Sequence, residues 1–174
     1  MEHVIEEADL KTTPLIDAHR KLGAKLAPFG GWLMPIQYSG IIAEHNWCRS
    51  SVSLFDICHM GEFIISGDPA KNGFERIVTM NLNKMEIGTC RYGFMLGEDA
   101  GVHDDVIAYR KSADEWMLVV NAATTPGDEA HLKKHLAPGT NWKNISDVTA
   151  KLDIQGPLSR EDRKSTRLNS SHRL

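Results

Sequence analysis

Three strand-like runs, Arg91–Leu96, Val102–Arg110 and Glu115–Asn121, follow one another with only short polar breaks between them. The breaks, Gly97-Glu98-Asp99-Ala100-Gly101 and Lys111-Ser112-Ala113-Asp114, have the length and chemistry of hairpin loops. Such loops are too short for the crossover that parallel strands need, so these strands must pair antiparallel. A strand-like stretch at Leu54–Ser66 precedes them, with Gly61 marking a bulge or a close backbone approach. Asp68-Pro69 opens a helix expected to run to Met80, and Pro126–Leu136 reads as a second, closed by Pro138-Gly139. Short strands are expected at Trp142–Ile145 and Ala150–Ile154. This order is α+β, with antiparallel sheets and flanking helices, not an alternation of βα units. Neither GxGxxG nor GxxxxGK[ST] occurs, so nothing supports a doubly wound nucleotide fold.

Ahead of this segment, residues 1–9 read as a frayed terminus. A helix is expected from Pro14 to Leu22, with Thr13 as N-cap and Gly23 as C-cap. Pro28 to Pro35 reads as a loop, and Ile41–Ser50 as a further helix.

Of the 174 residues, 41% are hydrophobic, enough to bury a core, and the net charge is −3 with no basic stripe. A nucleic-acid partner is therefore not expected. No apolar run reaches membrane-spanning length, and the acidic start Met1-Glu2-His3 lacks a signal-peptide core. Cys48, Cys58 and Cys90 form no CxxC and fit free thiols in a reducing compartment, which makes the cytoplasm the expected location.

The last sixteen residues change character. Ser159 to Leu174 carries five basic residues against two acidic ones, and only Leu168 and Leu174 are apolar, without helical or strand period. Asp162 to His172 resembles a translated sequencing-adapter read-through, so the tail is set aside from fold reasoning and the native part is expected to end near 158–161.

Few residues carry chemistry by pattern alone. Asp104-Asp105 begins a strand, and adjacent strand residues point to opposite faces. At most one can enter a cleft as acceptor or general base; a solvated hairpin pair is the plainer reading. Cys58-His59 invites a thiol-nucleophile reading, but strand neighbours diverge, so Cys58 reads as core. His131 and His135 have the i,i+4 spacing of a zinc site, yet His-Leu-Lys-Lys-His lacks the glutamate of HExxH, so a solvated helix face and no metal are expected. Phe29 and Trp32, beside Gly30-Gly31, suit a ligand wall or a packed loop equally. Asn121 ends its strand and suits a turn cap.

Seven strings, in order, resemble the glycine-cleavage aminomethyltransferase (T-protein) family. They are Thr13-Pro14-Leu15, Leu22-Gly23-Ala24-Lys25, Phe29-Gly30-Gly31-Trp32 through Tyr38, Leu54-Phe55-Asp56-Ile57-Cys58-His59-Met60-Gly61-Glu62, Gly101-Val102-His103-Asp104-Asp105, Val119-Val120-Asn121-Ala122-Ala123 and Gln155-Gly156-Pro157. Cys58 stands where the family usually has Ser, and Ala100 where it has a first Gly.

The resemblance implies transfer of the methylene of a lipoyl-bound aminomethyl group to tetrahydrofolate, with release of ammonia and a lipoylated H-protein as partner. It makes Asp105 the catalytic carboxylate and puts Met60, Tyr92, Val120 and Asn121 at the folate pocket. The implied fold is incomplete. Residues 10–62 begin a discontinuous folate-binding domain, 63–141 form an inserted ferredoxin-like α+β domain, and 142–158 start the return. As written, the chain is expected neither to turn over nor to bind folate tightly. The rival readings are a folate-dependent demethylase of the same superfamily and a non-catalytic folate-binding module.

Overall fold

A computed structural model describes residues 7–170, with side chains to residue 164. The chain forms two compact units: Met60–Thr149, and a second unit drawn from the chain on either side of it.

The flanking unit begins with a single 3₁₀ turn, Glu7–Asp9, where a frayed end is expected; Glu7 pairs with Arg20 at 2.6 Å. Residues 1–6 of that expected frayed end lie outside the described residues. Strand β1 (Lys11–Thr12) runs parallel to β3 (Trp32–Gln37), which pairs antiparallel with β2 (Lys25–Phe29). This hairpin occupies the stretch expected to be a loop. Gly30 and Gly31, at φ 56° and 84°, make the two-residue turn whose positive dihedrals match strand twist. Pro35 is tolerated in β3 because β1 reaches only Leu33, leaving the strand one-sided there.

Helix α1 spans only Ile16–Lys21. Leu15, not Thr13, holds the N-cap position; the Thr13 hydroxyl donates to Asp56 Oδ2 at 2.5 Å and accepts the Leu15 N–H at 3.3 Å in the turn ahead of the helix. Helix α2 (Ile41–Ser50) lies where expected, and Glu44 Oε1 accepts from the backbone N–H groups of Tyr38, Ser39 and Gly40. Strand β4 (Ser53–Asp56) pairs antiparallel with β10 (Leu152–Gln155).

The expected single strand 54–66 is two strands, β4 and β5 (Gly61–Ser66), one in each unit. Asp56 Oδ1 accepts the Cys58 N–H at 2.9 Å, an Asx turn that ends β4. Cys58 and His59 therefore sit on a turn, not a strand. Cys58 is buried, its sulfur against the Lys151 backbone.

In the central unit a five-stranded antiparallel sheet has the order β6 (Cys90–Leu96), β7 (Val102–Arg110), β8 (Glu115–Val120), β5, β9 (Trp142–Asn144). Both expected hairpins are present. One face carries the core: Phe63, Ile65, Val106, Ala108, Trp116, Leu118 and Val120 meet Phe74, Ile77 and Leu132. Phe74 and Ile77 belong to α3 (Phe74–Ile77), Leu132 to α4 (Thr125–His135).

The helix expected over 68–80 shrinks to α3. Gly73 is left-handed at φ 84°, and the side chains of Asp68 and Asn72 take the backbone N–H groups of Ala70 and Phe74 into turns. Beyond α3, Val78 already bridges to Met95 as extended chain.

The tail, for which no regular element is expected, forms α5 (Ser159–Ser170). Arg, Glu and Lys are good helix formers without any apolar stripe. The Leu158 carbonyl accepts both the Glu161 and Asp162 N–H groups. No helix among the described residues is long and apolar enough to cross a membrane.

Candidate functional site

Register builds the site in the central unit. Tyr92 on β6 pairs with Ile107 on β7, Ile107 with Val119 on β8, and Val119 with Glu62 on β5. Paired residues share a face, so this row crosses the side of the sheet opposite the core. Asp105 lies two residues before Ile107, on that same side, opposite Phe94. Tyr92 is 61% exposed and meets Phe94 edge-on at 5.6 Å between ring centroids, forming an aromatic shelf beside Asp105. Desolvation and the Asp105 carboxylate push the Tyr92 phenol above its ordinary value.

The two aspartates diverge as strand alternation requires. Asp105 is exposed, whereas Asp104 is 6% exposed and tied down by the strand end and turn that follow β8. Asp104 Oδ2 accepts from the Asn121 N–H and the Thr124 hydroxyl, both at 3.0 Å, and Oδ1 accepts from the Asn121 amide at 2.8 Å. Burial opposes its charge, but these donors outweigh it and hold the carboxyl below its ordinary value.

The Asn121 amide also donates to Asp105 Oδ1 at 2.9 Å. One Asn side chain thus bridges both carboxylates and fixes the orientation of the exposed one. This goes beyond a turn cap, and it requires a close approach between two strands that only the folded sheet supplies.

Of the other residues singled out by sequence, Met60 is half-buried at the entry to β5. Val120 is fully buried in the core, on the face away from Asp105; its neighbour Val119 shares the Asp105 face. Phe94, Thr124 and Glu62 escape the sequence reading. Phe94 was reachable by counting register outward from the hairpin loop, but a bulge between Met95 and Leu96 offsets that count by one.

His131 and His135 are half-buried rather than fully solvated. Their rings lie 4.3 Å apart, and His131 stacks on His103 at 4.7 Å. Burial and the neighbouring His135 and His103 keep His131 below its ordinary value. Phe29 packs edge-on against His59 at 5.8 Å, a packed contact of the loop-proximal strand.

Comparison with known proteins bears on the same segment. The sequence profile described as the GCVT N-terminal domain matches residues 15–166. The chain is 41% identical over 151 residues to an aminomethyltransferase of Halalkalibacterium halodurans, covering 87% of this chain and 41% of that protein. It is 43% identical over 149 residues to one from Desulforamulus reducens, covering 86% and 41%. The crystal structure of glycine cleavage system aminomethyltransferase T from Bartonella henselae superposes with a TM-score of 0.76 at 36% identity, over 86% of this chain and 42% of that one. The chain thus spans about two fifths of the length of the curated relatives it matches. With the profile running through both units, the hairpin-borne acidic pair included, the chain belongs to the family of the GCVT N-terminal domain.

Proposed function

We propose that this chain is the N-terminal part of an aminomethyltransferase of glycine cleavage. The complete enzyme takes the methylene of a lipoyl-bound aminomethyl group, passes it to tetrahydrofolate and releases ammonia. Its partner is a lipoylated H-protein and it works in the cytoplasm. Family membership supports the reaction class, and the carrying observation is the Asp105 carboxylate, pinned by Asn121 beside the Tyr92–Phe94 shelf.

The geometry suits the chemistry. Tetrahydrofolate is flat and aromatic in its pterin and aryl parts, and its nucleophilic nitrogens must be held near the aminomethyl carbon. Tyr92 and Phe94 offer faces to stack on. Asp105 can accept the proton-bearing side of a folate nitrogen, orienting its lone pair and managing its proton. A carboxylate already fixed by Asn121 needs little reorganisation, so positioning contributes much of the rate. Met60 and Asn121 complete the wall in this reading; Val120 supports it from the core side.

The test is Asp105→Asn in the full-length protein, assayed for transfer from lipoylated H-protein to tetrahydrofolate. The rate is expected to fall by about 10²–10⁴-fold. Unchanged transfer removes Asp105 from the chemistry. The 174-residue chain itself is expected not to turn over and to bind folate weakly. A titration giving the affinity of a full-length relative overturns that expectation.

A further inference from the structure

Asp128 lies in α4, with a side chain that is 0% exposed. Neither of its oxygens has a well-formed hydrogen bond among the described residues, and the Thr124 hydroxyl within its reach donates to Asp104. His103 Nε2 lies 3.4 Å from Oδ1. A buried carboxylate without donors is costly, so the group keeps its proton if it can.

The groups that face it decide whether it can. From β7 come Asp104 and His103. From α4 itself come the uncharged Thr124 hydroxyl at its start and His131, which stacks on His103, with His135 beyond. Asp104 has three well-formed donors and stays ionised, whereas Asp128 has only the Thr124 hydroxyl within reach, and that group is committed to Asp104. Two carboxyls in one buried place share a proton, and it resides on the member with fewer donors. Burial and the Asp104 charge accordingly push Asp128 up to about 7.

We propose that Asp128 is a positioning residue for Asp105, acting through Asp104 and Asn121. From Asp104 to Asp105 the hydrogen-bonded connection is continuous in the structure, and the Thr124 hydroxyl on Asp104 heads the helix that carries Asp128. Asp104 grips the Asn121 amide at 2.8 Å, and the same amide nitrogen holds Asp105 Oδ1 at 2.9 Å. While Asp128 is protonated, Asp104 is the sole charge beneath Asn121 and the grip is undisturbed. When Asp128 ionises, a second negative charge competes for the Thr124 hydroxyl and repels Asp104. The bonds that must yield are the ones that orient Asp105. Alignment is therefore present below the Asp128 midpoint and lost above it.

This inference rests on the role given to Asp105 above, and two readouts keep the two apart. The first uses the 174-residue chain without substrate: the Asn121 side-chain amide signals in ¹H–¹⁵N spectra, followed across the neutral range. They are expected to titrate with a midpoint of about 7 in the unaltered chain. They are expected to stay flat in Asp128→Asn. Flat signals in the unaltered chain overturn the coupling with no variant needed, and so does an unchanged titration in Asp128→Asn. The second uses the full-length enzyme. Above the midpoint its kcat is expected to fall about tenfold per pH unit, with KM for folate constant, and Asp128→Asn is expected to abolish that fall. An alkaline limb that persists in Asp128→Asn also overturns the coupling. Transfer that ignores Asp105→Asn overturns the functional reading, while the Asn121 titration still judges the coupling.

Discussion

The central unit buries a continuous apolar cluster, whereas the flanking unit contributes only Leu33, Met34 and Cys58 to the buried apolar residues among those described. The contrast is not one of composition. The flanking unit has ample apolar side chains, but Leu22, Ile41, Ile42, Trp47, Leu54 and Leu152 are exposed in it. Helix α2 buries no residue, and β4 pairs only with β10. A two-stranded sheet has too little surface of its own to be stable, and apolar patches of this kind mark surfaces that other chain covers. The central unit is one uninterrupted stretch and carries the candidate site, so the site stands on the part whose core is complete.

The largest expected test of this contrast is a pair of tryptophans. Trp116 is 0% exposed in the central core and Trp47 is 61% exposed on α2. Urea unfolding should show Trp116→Ala costing about 3–5 kcal/mol and Trp47→Ala less than about 1 kcal/mol. Equal costs would break the distinction between the units.

Two buried aspartates sharpen it with opposite signs. In the flanking unit, Asp56 is desolvated, yet bonds from Thr13, His19 and Cys58 hold it down at about 2. His19 Nε2 donates to it at 2.9 Å, and the other ring nitrogen shares a 2.7 Å hydrogen bond with the Tyr38 hydroxyl. Its folded value lies below the ordinary 3.8, so its stabilisation is present above that pH and lost as pH falls towards 2. Asp56→Asn should cost about 2 kcal/mol at neutral pH. Asp128 in the central unit has a folded value of about 7, above its ordinary 3.8. The folded chain then binds the extra proton, so stability falls as pH rises through that window. Asp128→Asn should stabilise by about 2–4 kcal/mol above the window and by nothing below it. Thermal unfolding of both variants against pH measures both signs.

The smallest effect concerns the hairpin loop before the acidic pair. Ala100 adopts φ 62°, a left-handed conformation that disfavours a side chain, at the position where the resembled family has glycine. Ala100→Gly is expected to stabilise by up to about 1 kcal/mol, read from the shift in urea midpoint. A destabilised variant would show that the loop is not strained there.

Much of this architecture was legible in the chain. The hairpin loops at 97–101 and 111–114 dictated adjacent antiparallel strands, and α2 and α4 follow from caps and periodicity. Where the reading failed, a side chain from another element had intervened. Asp56 takes the Thr13 hydroxyl proton and the Cys58 N–H, and the latter bond stops β4. Gly73 and Asn72 break the helix expected over 68–80. The β2–β3 turn carried a readable signal in Gly30-Gly31, masked by the flanking prolines.

The acidic pair separates the two sources of information most cleanly. Alternation along a strand is local geometry, so the sequence by itself determined that Asp104 and Asp105 face opposite ways. Only the tertiary structure decided which one is anchored and which is presented. Asp104 is buried because Asn121 and Thr124, distant in the chain, converge on its oxygens; Asp105 is exposed on the face away from the core, where the register sets it opposite Phe94. Burial and hydrogen bonding depend on neighbours brought in by folding, and no local pattern contains them.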